Sequence, residues 1–294
     1  LQEDNIHAYM LTQFNNVSYL SGYKPTSFAF CIIKENPIIY ASGMDMEIAK
    51  RDSAIEVKEY ESYEVMISEL KKEGIKNLAI EPTLPFSTYV RFRDDFNICA
   101  KTYVNEQRMI KTPREIENIT KATEIAQKSF LQLDIRNNES TEKEIAFDLV
   151  RYMIENGASK ESFDTIVTSG VNSSLPHAVP GAKKLQEPIL IDWGAIFGGY
   201  CSDNTRTIVF SEAQQEIWDI VCEAHDKAIK AIKPGLKCCE IDKVARDIIS
   251  DYGYGDNFIH STGHSLGLDI HETPGFSTRD ETVIEKGMII TVEP

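Results

Sequence analysis

Short apolar runs alternate with amphipathic stretches in the first part of the chain. The strand-like runs are AYMLT, SFAFCII, PIIYAS and NLAIEP. DMEIAKRDS predicts a short helix, and YEVMISELKKEG predicts a longer helix that ends at Gly74. This alternation predicts a compact α/β domain with a mixed sheet.

A domain boundary is predicted near Lys111, which divides the chain into domains 1–110 and 111–294. The segment Thr112-Pro113-Arg114-Glu115 follows this boundary and supplies an N-cap, a proline at the first helical position and the glutamate of a capping box. It therefore predicts the start of a helix.

The second domain is predicted to be α+β, with helices packed on one antiparallel sheet. A helix starts at Thr141 and ends at Gly157, and two more run through EIWDIVCEAHDKAIKAIKPG and CEIDKVARDIISDYGYG. The strand-like runs between the helices are FDTIVTSG, PILIDWG, TRTIVF and GMIITVEP.

Composition narrows the class of protein. A net charge of -15 repels phosphate backbones, and without a basic block to offset it we expect no nucleic-acid partner. No apolar run approaches the roughly 18 residues of a membrane span, and the start LQEDNIHAYMLTQF does not resemble a signal peptide. The six cysteines form no CxxC pair. We therefore expect a cytoplasmic protein without a membrane partner.

Two aspartates flank a predicted hairpin in IDWGAIFGGYCSDNTRT. Asp192 follows a buried apolar run, where a carboxylate is costly unless it is paired or bound to a metal ion. A turn around Gly198-Gly199 would bring Asp203 to a neighbouring rung of the same ladder. A salt bridge for Asp192 and a turn cap for Asp203 are the alternative interpretations.

Three histidines lie close together in FIHSTGHSLGLDIHE, at positions 260, 264 and 271 of a chain with 6 histidines. A single histidine is more often a hydrogen-bonding core group than a ligand, but a cluster favours function. His177 lies in another predicted loop, SSLPHAVPG. Glu293 ends the apolar run MIITV, where its side chain must be paired, bound to a cation or placed to cap a sheet edge.

Together these side chains suit a pair of divalent ions linked by shared carboxylates. Such a site can activate water near neutral pH and polarise a carbonyl group, and nearby histidines can transfer protons. The residues therefore predict a metal-dependent hydrolase.

The order and spacing of IDWGA, SDNTRT, GHSLGLDIHE and ITVEP resemble those of the pita-bread metallopeptidases. YMLTQFNNVSYLSGY resembles the N-terminal domain of proline dipeptidases and Xaa-Pro aminopeptidases. The similarity covers essentially the whole chain. It implies an α+β protein with an N-terminal α/β creatinase-like domain and a C-terminal pita-bread domain, in which helices pack on a curved antiparallel sheet. Methionine aminopeptidases and creatinases are less similar, because the former usually lack the first domain and the latter lack the metal ligands.

The resemblance implies a role for each residue that matches a family motif. Asp192 would bind one metal ion, Asp203 would bridge two ions, and His264 and Glu293 would bind the second. Glu293 would also shuttle protons. Mn²⁺ or Co²⁺ is expected, and Zn²⁺ or Fe²⁺ would also be accepted.

The remaining histidines, His177, His260 and His271, would contact the substrate and stabilise the reaction intermediate. The resemblance implies that a hydroxide bridging the two ions hydrolyses short Xaa-Pro peptides, with a dipeptide favoured and a homodimer expected. Three alternatives stay open: an Xaa-Pro aminopeptidase, a hydrolase of other amides, and a non-catalytic binding protein of the same fold.

A fifth ligand, a second bridging glutamate, would follow ITVEP on a later strand. The domain 111–294 is expected to lack its last strands, and without this ligand we would expect weaker metal binding and lower activity. The joins at 185–188 and 210–213 are also short by the standards of this family.

Overall fold

The computed structural model describes Leu1 and residues 4–135, 139–176 and 178–294. Contacts within the chain divide it into two units, Leu1–Glu106 and Gln107–Pro294. The division falls inside a short helix, Tyr103–Met109, close to the boundary at 110 that the sequence predicts.

The first unit is a mixed sheet with helices. Its strands are β1 (Ala8–Leu11), β2 (Ala29–Ile33), β3 (Ile38–Ala41), β4 (Glu56–Glu59), β5 (Asn77–Ile80) and β6 (Asn97–Ala100). Its helices are α1 (Phe14–Ser21), α2 (Met46–Asp52), α3 (Tyr63–Lys72), α4 (Phe86–Phe92) and α5 (Tyr103–Met109). The strand order is β4-β3-β2-β1-β5-β6. Pairs β1–β2 and β2–β3 are antiparallel and the others parallel, so the predicted mixed sheet is confirmed.

Both faces of this sheet are buried. Ala8 and Met10 of β1 pack on one face with side chains of α3, whereas Tyr9 and Leu11 pack on the other face with α1. A strand buried on both faces has a continuous apolar run, which is why the central strands can be recognised in the sequence. The edge strands β4 and β6 are mostly exposed, and the sequence pattern does not predict them.

The second unit is α+β. Its helices are α6 (Pro113–Phe130), α7 (Glu142–Glu155), α8 (Glu212–Ala231) and α9 (Cys238–Asp251). Its strands are β7 (Lys160–Glu161), β8 (Ile166–Ser169), β9 (Ile189–Trp193), β10 (Ala195–Phe197), β11 (Tyr200–Cys201), β12 (Asn204–Ile208), β13 (Gly263–Ser265) and β14 (Glu272–Phe276). Helix α6 starts with the predicted capping box of Thr112 and Glu115. The short join before α8 forms another capping box, from Ser211 and Gln214.

Three short antiparallel sheets replace the predicted single sheet in the described part of this unit: β11-β10-β7, β12-β9-β8 and β13-β14. Gly194 marks one division, because it separates β9 from β10, which belongs to another sheet. A Cβ atom at Gly194 would lie 1.9 Å from the Ser202 carbonyl oxygen and 2.1 Å from Ser162 Oγ. Only glycine permits this close crossing of the chain.

The run GMIITVEP forms no regular strand, so this part of the prediction is wrong. It lies beside β13, but the two share only one isolated bridge, between Ser265 and Ile290. The ladder of β13 with β14 is irregular between His264 and Ser265, which interrupts regular pairing at this position. Backbone hydrogen bonds still fix the run, since Glu293 N donates to the Thr262 carbonyl over 2.7 Å.

Helices cover these sheets through two separate cores. In the first, the Trp193 ring stacks on Phe130 at a centroid distance of 4.6 Å, and its Nε1 donates to the Ala126 carbonyl over 2.9 Å. In the second, α8 and α9 pack with Phe276 and Ile284. Strand β9 is therefore packed against α6, and the β13–β14 region is packed against α8 and α9.

Candidate metal centre

The β9–β12 hairpin region positions Asp192 and Asp203. Thr205 of β12 lies opposite Asp192 of β9, and Asn204 lies opposite Trp193, so Asp203 is at the end of the same ladder. The chain turns between the strands at Gly198 and Gly199, whose φ angles are +58° and +89°. Residues with side chains rarely adopt such angles, and the two glycines therefore permit the turn.

Asp192 is partly buried, and one of its carboxylate oxygens lies in an unfavourable setting. Its Oδ1 atom has no hydrogen-bond partner among the described residues. Burial, and then the negative charge of Asp203, raise the pKa of Asp192 to about 7, although contact with the Thr205 hydroxyl lowers it in part. A buried carboxylate oxygen without a partner costs free energy, which a bound cation would recover.

Asp203, His264 and Glu293 converge on one point. His264 Nε2 lies 3.3 Å from Asp203 Oδ2 and 3.2 Å from Glu293 Oε1. One ligand atom from each of the three residues lies within 4.8 Å of the others. Asp192 joins this group electrostatically, because the charges of Asp203, Glu293 and His264 all act on its pKa.

The neighbouring carboxylates shift the pKa of His264, and His264 in turn shifts the pKa of Glu293. Burial alone would lower the pKa of His264, but hydrogen bonds to Asp203 and Glu293 outweigh burial and raise it to about 10. Burial would raise the pKa of Glu293, but the interaction with His264 and the Thr291 hydroxyl lowers it. The His264 ring must lose its extra proton before it can bind a metal ion.

The backbone around β13 holds His264 and Glu293 together. Thr291 N donates to the His264 carbonyl over 2.8 Å, and His264 N donates to Thr291 Oγ1 over 2.9 Å. The Thr291 hydroxyl is also 2.9 Å from Glu293 Oε1. Neither Thr291 nor Thr205 is predicted from the sequence. Their spacing is informative, however, because residues i and i+2 of an extended segment share a face, as Thr291 does with Glu293 and Thr205 with Asp203.

The other predicted histidines differ in their placement. The His271 ring lies 4.4 Å from the His264 ring, centroid to centroid, and is exposed. His260 is also exposed, and its charge contributes to the lowered pKa of Glu293. Both therefore lie beside the acidic cluster. His177 lies outside the described residues.

Buried ion pairs support the loop that carries His271. Glu272, the next residue, accepts hydrogen bonds from Arg108 Nη2 and from Lys111 Nζ, the latter over 3.1 Å. Arg108 also binds Asp269 over 2.6 Å. A Cβ atom on Gly267 would lie 2.6 Å from the Glu272 carboxylate, which explains the glycine here.

The donor set suits divalent cations. Three carboxylates and one imidazole are typical ligands of manganese, cobalt, iron or zinc, and the buried Asp192 Oδ1 lacks the partner that such an ion would provide. The charges of Asp203 and Glu293 both raise the pKa of Asp192, and a carboxylate in such surroundings favours a bound positive charge. The residues present therefore fit a divalent metal centre.

Two protein-family models match the chain. Residues 117–294 match the model of Metallopeptidase family M24, and residues 1–116 match the Creatinase/Prolidase N-terminal domain. The four residues of the cluster lie within the first of these matches.

The chain aligns with most of the length of several known proteins. The Xaa-Pro dipeptidase of Pyrococcus horikoshii is 38% identical over 305 aligned residues, which cover 100% of this chain and 86% of that protein. The solved structure of the prolidase from Pyrococcus furiosus has a TM-score of 0.90 and 38% identity, covering 99% of this chain and 89% of the other. The X-Pro aminopeptidase of Thermotoga maritima has a TM-score of 0.86 and 32% identity, with 98% and 87% coverage.

Proposed function

The chain belongs to metallopeptidase family M24, and from this premise we propose that it hydrolyses Xaa-Pro dipeptides. The observation that carries the proposal is the convergence of Asp203, His264 and Glu293 beside the buried, unpartnered oxygen of Asp192. A protein without catalysis or metal binding would gain nothing from this costly arrangement of carboxylates.

We assign Asp192, Asp203, His264 and Glu293 as the ligands of two divalent ions, with Mn²⁺ or Co²⁺ as the preferred metals. Divalent ions bound there supply Lewis acidity and make water a nucleophile near neutral pH. His264 binds a metal ion only in its neutral form. The imidazole proton that its hydrogen bonds to Asp203 and Glu293 stabilise must therefore be lost when the metal binds.

Side chains of this protein transfer the protons that the reaction requires. The bond before proline is a tertiary amide, so its nitrogen must gain a proton before it can leave. Glu293 has a lowered pKa, is ionised near neutral pH, and can accept a proton from the attacking water and deliver it to that nitrogen. We assign His177, His260 and His271 to substrate contact and to stabilisation of the charge that develops on the carbonyl oxygen.

The substrate assignment is tested with two dipeptides and the protein loaded with Mn²⁺ or Co²⁺. We expect Ala-Pro to be hydrolysed much faster than a proline-free dipeptide of similar size. Equal values of kcat/KM for the two dipeptides would contradict the proline assignment while leaving the metallopeptidase intact.

An aminopeptidase is the second candidate, because the Thermotoga maritima relative carries that name. A longer peptide that begins with Xaa-Pro separates the candidates. Faster cleavage of the longer peptide than of Ala-Pro would favour the aminopeptidase, and the reverse order would favour the dipeptidase.

We further propose a cytoplasmic homodimer. The six cysteines, all in described residues, are free thiols, as is usual in reducing compartments. None of the described helices is long and apolar enough to cross a membrane. Cell fractionation tests the location, and light scattering tests the dimer, which a monomeric mass would contradict.

A further inference from the structure

A buried carboxylate on α9 anchors the segment that carries His260. Asp242 has no exposed surface and accepts two hydrogen bonds from Arg246, over 2.9 Å and 3.1 Å. It also accepts bonds from the backbone N–H and the hydroxyl of Thr262, over 3.1 Å and 2.9 Å. Asp242 therefore fixes both its helical neighbour and the residue that precedes β13.

Arg246 uses its remaining donors on the same segment. Nη1 donates to the Phe258 carbonyl and Nη2 to the His260 carbonyl, each over 2.8 Å. The guanidinium also lies over the Phe258 ring, 4.2 Å from its centroid. This planar fork binds several acceptors at fixed angles, which a lysine cannot reproduce.

The two side chains hold the segment at three points. Phe258, His260 and Thr262 are each contacted, whereas the intervening Ile259 is 75% exposed and His260 is itself exposed. Apolar burial therefore contributes little at His260. Its backbone position depends on polar contacts from α9.

The His260 ring has a defined orientation within this segment. Its Nδ1 lies 2.8 Å from the Ser261 carbonyl oxygen and donates to it, which fixes the rotation of the ring and leaves Nε2 on the opposite edge. The ring also packs edge-on against Phe258, with centroids 5.0 Å apart. Arg246 thus touches the residue on which the ring rests as well as the carbonyl of His260.

We propose that Arg246, anchored by Asp242, is a positioning residue that sets the orientation of His260 beside the metal centre. The expected loss of rate rests on the proposed function, whereas the contacts that orient His260 do not depend on it. Neither residue is assigned to substrate contact. A misplacement of a reacting group by about 1 Å can cost up to about a hundredfold in rate.

Helix α9 contains its own control. Lys243 and Asp247 form an ion pair of the same i,i+4 spacing, 2.7 Å apart. Both side chains are more than half exposed, and the pair has no contact with the His260 segment among the hydrogen bonds of the described residues. Lys243→Ala therefore removes a charge from the same helix without touching the loop.

The kinetic test compares Arg246→Lys, Lys243→Ala, His260→Ala and the double variant Arg246→Lys/His260→Ala, all with measured metal content. We expect Arg246→Lys to lower kcat for Ala-Pro by about tenfold to a hundredfold at unchanged metal content, and Lys243→Ala to have no effect. The double variant should be no slower than His260→Ala, because one positioning effect cannot be lost twice. Additive losses, unchanged kcat, or a loss that follows the metal content would overturn the proposal.

A second readout does not depend on activity. The His260 ring signal, assigned in the NMR spectrum by its loss in His260→Ala, should carry a ring-current shift from Phe258. Arg246→Lys should move this signal toward that of an exposed histidine, and Lys243→Ala should not; Arg246→Gln replaces the lysine variant if the latter does not fold. An unmoved signal overturns the proposal even if Ala-Pro is not hydrolysed, whereas a wild-type protein that shows the shift but no turnover would refute only the proposed function.

Discussion

Two carboxylates, Glu81 of the first unit and Asp192 of the second, have opposite surroundings. In the first unit, Glu81 accepts bonds from the backbone N–H groups of Thr12 and Gln13, over 2.6 Å and 2.9 Å, and from Asn16 Nδ2 over 2.6 Å. In the second unit, Asp192 leaves Oδ1 without a partner among the described residues, and its charged neighbours include Asp203 and Glu293. Glu81 is therefore surrounded by hydrogen-bond donors, whereas Asp192 lies beside further carboxylates.

This difference distinguishes a structural carboxylate from a candidate cation ligand. Hydrogen bonds from Thr26, together with Tyr23, lower the pKa of the buried Asp45 to about 2, whereas burial and Asp203 raise the pKa of Asp192 to about 7. A carboxylate surrounded by donors stabilises the fold, and one surrounded by carboxylates requires a positive charge. Burial alone therefore does not indicate function; the partners of the carboxylate do.

The largest predicted effect comes from Asp192→Asn, which removes the charge without changing the shape of the side chain. We expect kcat/KM for Ala-Pro to fall by about a thousandfold, since metal ions contribute several kcal/mol to transition-state stabilisation. Metal content should fall as well. The metal-free variant should be at least as stable as the metal-free wild type in urea, and a clear loss of stability would mean that Asp192 is a structural carboxylate.

The reciprocal variant is Glu81→Gln in the first unit. It replaces an acceptor that binds backbone N–H groups with a group that carries N–H donors of its own. We expect a loss of about 3 kcal/mol in the free energy of unfolding, because hydrogen bonds to charged groups contribute about 1.5–3 kcal/mol. The folded variant should keep the wild-type kcat. A selective loss of kcat in the folded protein would mean that Glu81 is not a purely structural carboxylate.

Metal removal should affect stability through the second unit. At a free metal concentration about a hundred times Kd, binding stabilises the folded protein by about 2.7 kcal/mol, so chelation should lower Tm and added Mn²⁺ or Co²⁺ should restore it. Glu81→Gln should show the same increment and Asp192→Asn a much smaller one. Equal increments in all three proteins would place the metal elsewhere.

The smallest expected effect is the contribution of Asp45 to stability at acidic pH. Because hydrogen bonding lowers the folded-state pKa of Asp45 from 3.8 to about 2, the folded state binds this proton less readily than the unfolded state. Asp45 then stabilises the fold above pH about 4, and this contribution is lost as the pH falls toward about 2. Asp45→Asn should flatten the pH dependence of unfolding in that window. An unchanged slope would mean that Asp45 is not stabilised by its donors.

The sequence predicts parts of the molecule whose signals are local. The capping box at Thr112 and the doubly buried strands of the first unit belong to this class. The pattern also singles out Asp192 and Glu293 as candidate ligands, because carboxylates at the ends of apolar runs have few structural explanations. Their assignment as ligands stays a prediction until metal binding is measured.

Signals that depend on tertiary contacts cannot be predicted in this way. In the sequence, Asp242 with Arg246 has the same spacing as Lys243 with Asp247, and both look like ordinary helix pairs. Only the fold shows that the first pair is bound to the His260 segment and that the second is exposed. The division of the sheet at Gly194 is similar, because it follows from contact with distant atoms of Ser202.

The most direct measurement is an anomalous-scattering crystal structure of the protein grown with Mn²⁺. We expect density for divalent ions at bonding distance from Asp192, Asp203, His264 and Glu293, and none at those positions in Asp192→Asn crystals grown in the same way. Wild-type crystals in which the four side chains bind no ion, although Mn²⁺ is present in excess, would mean that these residues are not the metal ligands.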